Sequence, residues 1–248
     1  MLETPLLAAF LAFCRIGGCF MLMPGLSSVR VPMQVRLFAA VAATLAMLAH
    51  LWDLITPHVS DEPGPLFLLI ASELAIGALI GLIARVYVLS LQFIGTSMAM
   101  FMGFGMAAGG TAIEEAEPQP PLTALISLSA LMLLFVLDFH HLIIRALVVS
   151  YELAPIDSLF DPQSALTDIT DTLSDAFFVM LRLGSPFLAY AILVNLAIGF
   201  INKLTPQIPI YFISLPFVIA GGIILLYFAI PSLLGLFAEG FFPIFEGR

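Results

Sequence analysis

The chain has 248 residues, of which 61% are hydrophobic and 10% are charged, and its formal net charge is −9. A soluble domain is about 45–50% apolar and about 25% charged, so lipid or protein partners must cover apolar side chains that a globule of this size could not bury. The composition therefore indicates an integral membrane protein. The negative charge argues against nucleic acid as a partner, because phosphate binding needs clustered Lys and Arg.

Apolar segments recur along the whole chain, each close to the length of about 20 residues that a helix needs to cross a bilayer. The third and fourth are longer than one crossing needs. The expected fold class is all-α: a polytopic integral membrane protein with about six apolar helical segments. In chain order the segments are Pro5–Met23, Leu37–Ile55, Leu66–Met102, Leu122–Ser150, Phe177–Phe200 and Ile208–Phe237.

The stretch Asp161–Asp175 is acidic and differs from the rest. Asp161 followed by Pro162 predicts a helix N-cap and first turn. Apolar residues then recur at helical spacing with aspartates on the opposite face, which predicts an amphipathic helix that runs into the fifth apolar segment. Its acidic side is interpreted as a solvated face, with an acidic docking surface as the alternative. The apolar positions are Leu166, Ile169, Leu173 and Phe177, and the acidic ones are Asp168, Asp171 and Asp175.

Several ionisable residues lie well inside apolar sequence. A charge at membrane depth costs about 2.5–3.5 kcal/mol on insertion scales, so it persists where it faces protein or water. Glu73 and Arg85 are about 18 Å apart along one helix, so each needs a partner on another helix or another chain. Structural pairing is the preferred interpretation, and a proton relay is the alternative. These residues are Arg15, Glu73, Arg85, Asp138, His140, His141 and Arg182.

No chemistry-bearing motif is found. Asp138 and His141 could share a helix face, but a third ligand of the right type is missing nearby, so no metal site is predicted. Motifs of zinc proteases, serine hydrolases, CxxC redox centres and phosphate loops do not occur, so the sequence predicts no catalytic residue, no cofactor and no enzyme activity. Gly77 and Gly81 form a GxxxG that permits close helix packing.

Four stretches, taken in order, resemble one family. They are RIGGCFMLMPGLSSVRVPMQVRLFAAVAATLA (Arg15–Ala46), where Pro32 and Arg36 fit a Pro-x-x-x-Arg pattern, ELAIG in the third segment, DFHHLIIRALVVSYELAPI (Asp138–Ile156) and NKLTPQIPIYFISLPFVIAGG (Asn202–Gly222). Together they resemble the FliR family, the single-copy component of the flagellar type III export gate. The similarity covers nearly the whole chain.

The resemblance implies one FliR-like membrane domain over residues 1–248, with a FliP-like part over about 1–150 and an acidic helix plus a FliQ-like hairpin over about 151–248. It implies long kinked helices arranged as hairpins in a larger helical assembly in the bacterial inner membrane, at the flagellar basal body. The implied partners are FliP-like and FliQ-like subunits, an FlhB-like protein, membrane lipid and unfolded export substrates in transit.

The resemblance also assigns roles to charged and turn residues. Buried or intersubunit charges would be Arg15, Arg36, Glu73, Arg85 and Arg182. A cytoplasmic hairpin turn would contain Lys203, Thr205, Pro206 and Gln207, in agreement with the positive-inside tendency of the loops.

In FliR-like proteins the loop after the third helix plugs the conduit, and here that loop maps to about residues 104–117. Methionine closes irregular gaps, glycine lets the backbone bend, and an apolar constriction excludes water and ions. A plain inter-helix loop is the alternative. The predicted plug residues are Met98, Met100, Phe101, Met102, Gly103, Phe104, Gly105, Met106, Gly109 and Gly110.

The expected function is that of a gate subunit that closes the conduit and helps unfolded flagellar proteins cross the inner membrane. One alternative is the equivalent subunit of a virulence-type III secretion system. Another is an autonomous proton-coupled membrane transporter that uses Glu73, Asp138 or the histidines, although the internal repeat common in transporters is absent.

Overall fold

The structure, a computed structural model, describes residues 3–28, 31–58, 63–104 and 120–242, and these form helices and no strands. Five of the helices are long and apolar enough to cross a membrane, or six if the bent pair α4 and α5 is one span. The prediction of an all-α polytopic protein is confirmed. The helices are α1 (Glu3–Leu22), α2 (Met33–Ile55), α3 (Pro63–Phe101), α4 (Pro121–Val136), α5 (Phe139–Leu153), α6 (Pro162–Leu204) and α7 (Ile210–Phe241), with a short 3-10 helix (Thr56–His58) after α2.

The fourth apolar segment is not the single helix over Leu122–Ser150 that its pattern predicts. It is broken into α4 and α5, which meet at a bend of 65°. The break falls at Asp138, whose φ of 58° and ψ of 32° are left-handed and cannot continue a right-handed helix. Aspartate tolerates this conformation better than most residues. Neither Gly nor Pro marks the break, so the apolar pattern runs through it without a signal.

Helix α6 begins as the sequence predicts. The carboxylate oxygens of Asp161 accept hydrogen bonds from the backbone amides of Gln163 at 3.1 Å and Ser164 at 3.3 Å, which confirms the N-cap. The helix then continues without interruption from the acidic stretch through the fifth apolar segment to Leu204. Its 43 residues correspond to a length of about 64 Å, roughly twice the hydrocarbon thickness of a bilayer.

The first turns of α6 bury small residues and not the larger apolar ones. Leu166, Leu173 and Phe177 are exposed, whereas the small residues Ala165 and Ala176 are buried. Small side chains allow the backbone of α6 to come close to the rest of the chain. The larger apolar residues at helical spacing form a stripe that no other described part of this chain covers.

The chain groups into two compact units. Unit 1 comprises Met1–Tyr87, Phe135–Leu173 and Phe241–Arg248, and unit 2 comprises Val88–Leu134 and Ser174–Gly240. A cluster of buried side chains from α1, α2, the end of α5 and the turn after it forms a core in unit 1. Its members are Ala8, Leu11, Ala12, Leu51, Ile55, Tyr151 and Ile156.

In unit 2, α3, α6 and α7 pack closely at glycines. A Cβ placed on Gly184 would lie 2.6 Å from Ile94 Cδ1, so α6 comes close to α3 at this glycine. The Tyr190 hydroxyl donates a hydrogen bond to the carbonyl oxygen of Val218 at 2.7 Å, which ties α6 to α7.

Candidate functional site

The last turn of α3 carries the first of the predicted plug residues. Met98 and Met102 are buried, whereas Met100 is 61% exposed. The Met102 amide donates to the Met98 carbonyl at 2.9 Å, and the Gly103 amide donates to the Met100 carbonyl at 3.1 Å. The helix ends here because Gly103 has φ +84°, a left-handed conformation typical of glycine just beyond a helix C-terminus.

The end of α3 packs directly against α7 within unit 2. A Cβ on Gly103 would lie 3.3 Å from Leu215 Cδ1, and a Cβ on Gly222 would lie 2.7 Å from Met102 Cγ. Gly103, just beyond α3, and Gly222 of α7 therefore allow this contact, which fixes the C-terminal end of α3. Phe101 and Phe104 are half-buried. Of the other predicted plug residues, Gly105, Met106, Gly109 and Gly110 lie outside the described residues.

In unit 1, Arg15 of α1 and Glu73 of α3 form a fully buried, bidentate ion pair. Arg15 Nε donates to Glu73 Oε2 at 2.7 Å and Nη2 donates to Oε1 at 2.6 Å, with side-chain exposures of 0% and 1%. Nη1 also donates to Ser150 Oγ at 3.1 Å and Nη2 to the Ala154 carbonyl at 3.0 Å. The guanidinium carbon lies 3.8 Å from the centre of the Tyr151 ring. These two charges are therefore satisfied within the chain, in the strongest hydrogen-bond geometry available to them.

The glycine pair of α3 lies beside this ion pair. A Cβ on Gly77 would overlap the carbonyl oxygen of Arg15, and one on Gly81 would lie 2.5 Å from the carbonyl oxygen of Cys19. The backbones of α1 and α3 are therefore in contact, as small residues permit. Gly77 follows Glu73 by one helical turn, so the close contact and the ion pair share one helix face.

The other predicted charges differ from this pair. Arg36 Nη2 donates to the carbonyl oxygens of Ser28 at 2.6 Å and Val31 at 3.1 Å, and so holds the connection between α1 and α2. Arg85 is half-buried and Arg182 is exposed. Neither has an ion-pair partner within residues 3–28, 31–58, 63–104 and 120–242.

The connection between α6 and α7 is short and exposed. Lys203 lies in the last turn of α6, and Thr205, Pro206 and Gln207 follow it. The Thr205 amide donates to the Ile201 carbonyl at 2.9 Å, and its hydroxyl donates to the same oxygen at 2.9 Å. Together with the contact between Tyr190 and Val218, this connection makes α6 and α7 a helical hairpin.

The structure brings a third group of residues together, and the sequence pattern had not joined all of its members. Asp138, His140 and His141, at the break between α4 and α5, place one ligand atom each within 4.8 Å of one another. Helix-face spacing had paired only Asp138 with His141, because it presumed a continuous helix.

Several helices of this chain are long and apolar enough to cross a membrane, and α1 and α3 share a buried ion pair. These features are those of a polytopic α-helical membrane protein. The profile of the family described as bacterial export proteins, family 1, matches residues 6–243, and this chain belongs to that family. Together with the apolar helices, this membership makes the chain a multi-pass protein of the bacterial inner membrane.

Several relatives are similar over most of their length. Flagellar biosynthetic protein FliR of Caulobacter vibrioides is 28% identical over 218 residues, covering 88% of this chain and 86% of the relative. FliR of Escherichia coli is 27% identical over 240 residues, covering 94% and 87%. The Yop proteins translocation protein T of Yersinia pestis is 24% identical over 219 residues, covering 87% and 83%. The resemblance to the FliR family is confirmed.

Proposed function

We propose that this chain is the single-copy core subunit of a flagellar type III export gate, where it helps unfolded flagellar proteins cross the inner membrane. The observation that carries the proposal is the match of residues 6–243 to a bacterial export family, joined to flagellar relatives of similar length. The subunit contributes closure and ion exclusion at the flagellar basal body, and other parts of the machine supply the energy.

Extensive exposed apolar surface supports a larger assembly. Only 11% of the most apolar part of α7 is buried, against 56% in α1. Lipid or the helices of other subunits must cover such a surface. We infer that FliP-like and FliQ-like subunits cover part of it, that an FlhB-like protein docks on the assembly, and that lipid covers the remainder. The exposed side chains include Phe200, Leu204, Phe212, Phe217, Tyr227 and Phe228.

We also propose that the segment of about residues 104–117 closes the conduit. The packing of Met102 and Gly103 against α7 supports this role, because a plug needs a fixed base next to an apolar segment rich in Met and Gly. Deletion of residues 104–116 is expected to raise the resting ion conductance of membranes that contain the assembly. A matched control replaces Glu114, Glu115 and Glu117 with Gln, which removes charge but keeps the segment's length and apolar part, and should leave the conductance low.

Assembly is measured in parallel by native mass spectrometry of the solubilised complex. We expect one copy of this chain among several copies of two smaller helical proteins, in the deletion variant as well as in the wild type. Unchanged conductance in an assembled deletion variant would remove the plug role alone. A homo-oligomer of this chain would contradict the gate proposal as a whole.

The Yersinia relative supports a second candidate, the equivalent subunit of a virulence-type secretion system. Restored motility in a flagellated strain that lacks its own FliR would support the flagellar role. Restored secretion in the other system alone would support the second. An autonomous proton-coupled transporter is less well supported, because Glu73 is already bound by Arg15. Solute uptake by the purified chain would revive it.

A further inference from the structure

The cluster at the break between α4 and α5 has the dimensions of a metal site. Asp138 Oδ1 lies 3.8 Å from His140 Nε2 and 3.6 Å from His141 Nδ1. Zinc is bound tetrahedrally at about 2.0–2.2 Å, which places neighbouring ligand atoms about 3.3–3.6 Å apart. The two separations from Asp138 exceed this spacing by a few tenths of an ångström, and the ligand nitrogens of His140 and His141 lie within 4.8 Å of each other. Side-chain rotations would bring the three ligand atoms to the required spacing.

The backbone that carries the three ligands is anchored by the packing of Phe139, the residue between Asp138 and His140. Phe139 is fully buried, and its ring contacts Phe135 at a centroid distance of 4.9 Å and Phe241 at 6.2 Å. The ligand side chains themselves remain accessible, since Asp138 and His141 are each 71% exposed and His140 is 38% exposed. An ion can therefore reach a cluster whose backbone is fixed.

The position of the Asp138 carboxylate is not explained by helix capping. Asp138 occupies the N-cap position of α5, yet its side chain makes no capping hydrogen bond. Its carboxylate lies beside the two imidazoles instead. Asp138 is also the non-glycine residue with positive φ in the described part of the chain. A residue held in such a conformation is a reason to look for a function.

We propose that Asp138, His140 and His141 form a binding site for a divalent transition metal, with Zn²⁺ as the best match. Two imidazole nitrogens favour Zn²⁺, Cu²⁺ or Ni²⁺ over Mg²⁺ and Ca²⁺, which prefer oxygen ligands. Three protein ligands leave a fourth position open to water or to a group from a partner. The bound ion would link Asp138, at the N-cap of α5, to the first turn of that helix.

The affinity should be lower than that of structural zinc sites. Strong zinc sites hold the second ring nitrogen of each histidine with a hydrogen-bond acceptor. His140 Nδ1 is buried and has no such partner among the residues that the structure describes. We therefore expect reversible binding that responds to the metal supply. This inference does not depend on the proposed export function.

The test uses the full chain purified in detergent, with Co²⁺ as the spectroscopic probe and Zn²⁺ as its competitor. We expect one Co²⁺ per chain, with the intense visible absorption of a low-coordinate site that Zn²⁺ displaces. The double variant H140Q/H141Q should bind Co²⁺ at least tenfold more weakly. The matched control is H50Q, which removes an exposed histidine of α2 and should bind like the wild type.

Asp138→Gly separates ligation from folding, because glycine adopts the left-handed conformation freely but supplies no carboxylate. It should keep the wild-type circular dichroism and melting temperature while its Co²⁺ affinity falls at least tenfold. The proposal is overturned if the wild type binds no Co²⁺. It is also overturned if the wild type binds Co²⁺ no more tightly than H140Q/H141Q and Asp138→Gly do. In that case Asp138 and the histidines form only a metal-free polar contact.

Discussion

Substitution Glu73→Gln tests whether the buried ion pair stabilises unit 1. The change keeps the size of the side chain but leaves the Arg15 charge buried without its counterion. Removal of one partner from a buried pair costs about 3–5 kcal/mol. Gln keeps one carbonyl acceptor for Arg15 but places a non-accepting amide NH2 at the other position, so one charge-assisted hydrogen bond, worth about 1.5–3 kcal/mol, is lost in addition to the counterion. Because Ser150 and the Ala154 carbonyl still accept hydrogen bonds from Arg15, we expect a loss of about 3–4 kcal/mol.

The assay is reversible unfolding in mixed micelles, followed by the fluorescence of Trp52, the single tryptophan of the chain. Trp52 lies on α2 in unit 1, next to the core residue Leu51, so it reports on the affected unit. The control is Glu152→Gln, which removes an exposed carboxylate of α5. It should change the free energy of unfolding by less than about 0.5 kcal/mol.

A double variant completes the test. Arg15→Met with Glu73→Leu replaces both charges by apolar side chains, and such replacements are often neutral or stabilising. We expect it to recover most of the stability that Glu73→Gln loses. The reasoning is refuted if Glu73→Gln costs less than about 1 kcal/mol, or if the double variant is no more stable than Glu73→Gln alone.

Substitutions of Gly77 in α3 and of Gly103 just beyond its end test close packing. Unfolding is followed by Trp52 fluorescence for Gly77 in unit 1 and by circular dichroism for Gly103 in unit 2. Gly77→Ala should cost about 1–3 kcal/mol, because its Cβ meets the Arg15 backbone and no side-chain rotation can relieve the overlap. Gly64→Ala, with no atom within 4 Å of its Cβ, should be neutral or stabilising, and equal losses for the two would contradict the contact. Gly103→Ala should cost about 1–2 kcal/mol through its left-handed φ. Gly103→Asn should cost less, since asparagine tolerates this conformation, and similar losses would point to crowding by Leu215 as the cause.

The helices could be predicted because each has a local signal. Apolar length marks the spans, and prolines mark where helices begin, as at Pro63, Pro121 and Pro162. The break at Asp138 could not be predicted, because a single left-handed aspartate within apolar sequence leaves the periodicity unchanged. The sequence also does not predict which side of α6 is buried. Periodicity identifies an apolar stripe but does not tell whether this chain or another partner covers it.

The arrangement around the buried ion pair could likewise be predicted only in part. Apolar surroundings predict that Arg15 and Glu73 need partners, but their pairing depends on how α1 and α3 cross, over a separation of 58 residues. Ser150 and the Ala154 carbonyl carry no charge that would have marked them as partners of an arginine. The GxxxG that begins at Gly77 was informative because two glycines four residues apart predict close helix packing even when the opposite helix is not known.

The buried ion pair imposes an order on the biosynthesis of the protein. Ribosomes deliver α1 to the bilayer before Glu73 has been translated, so Arg15 enters without its counterion, at a cost of about 2.5–3.5 kcal/mol on insertion scales. Neutralisation waits for α3, and the last hydrogen bonds wait for Ser150 and Ala154, 135 and 139 positions downstream. A nascent chain that ends before α3 therefore leaves the Arg15 guanidinium without its counterion in the lipid. The full set of partners of Arg15 is therefore complete only after α5 and the residue that follows it have been synthesised.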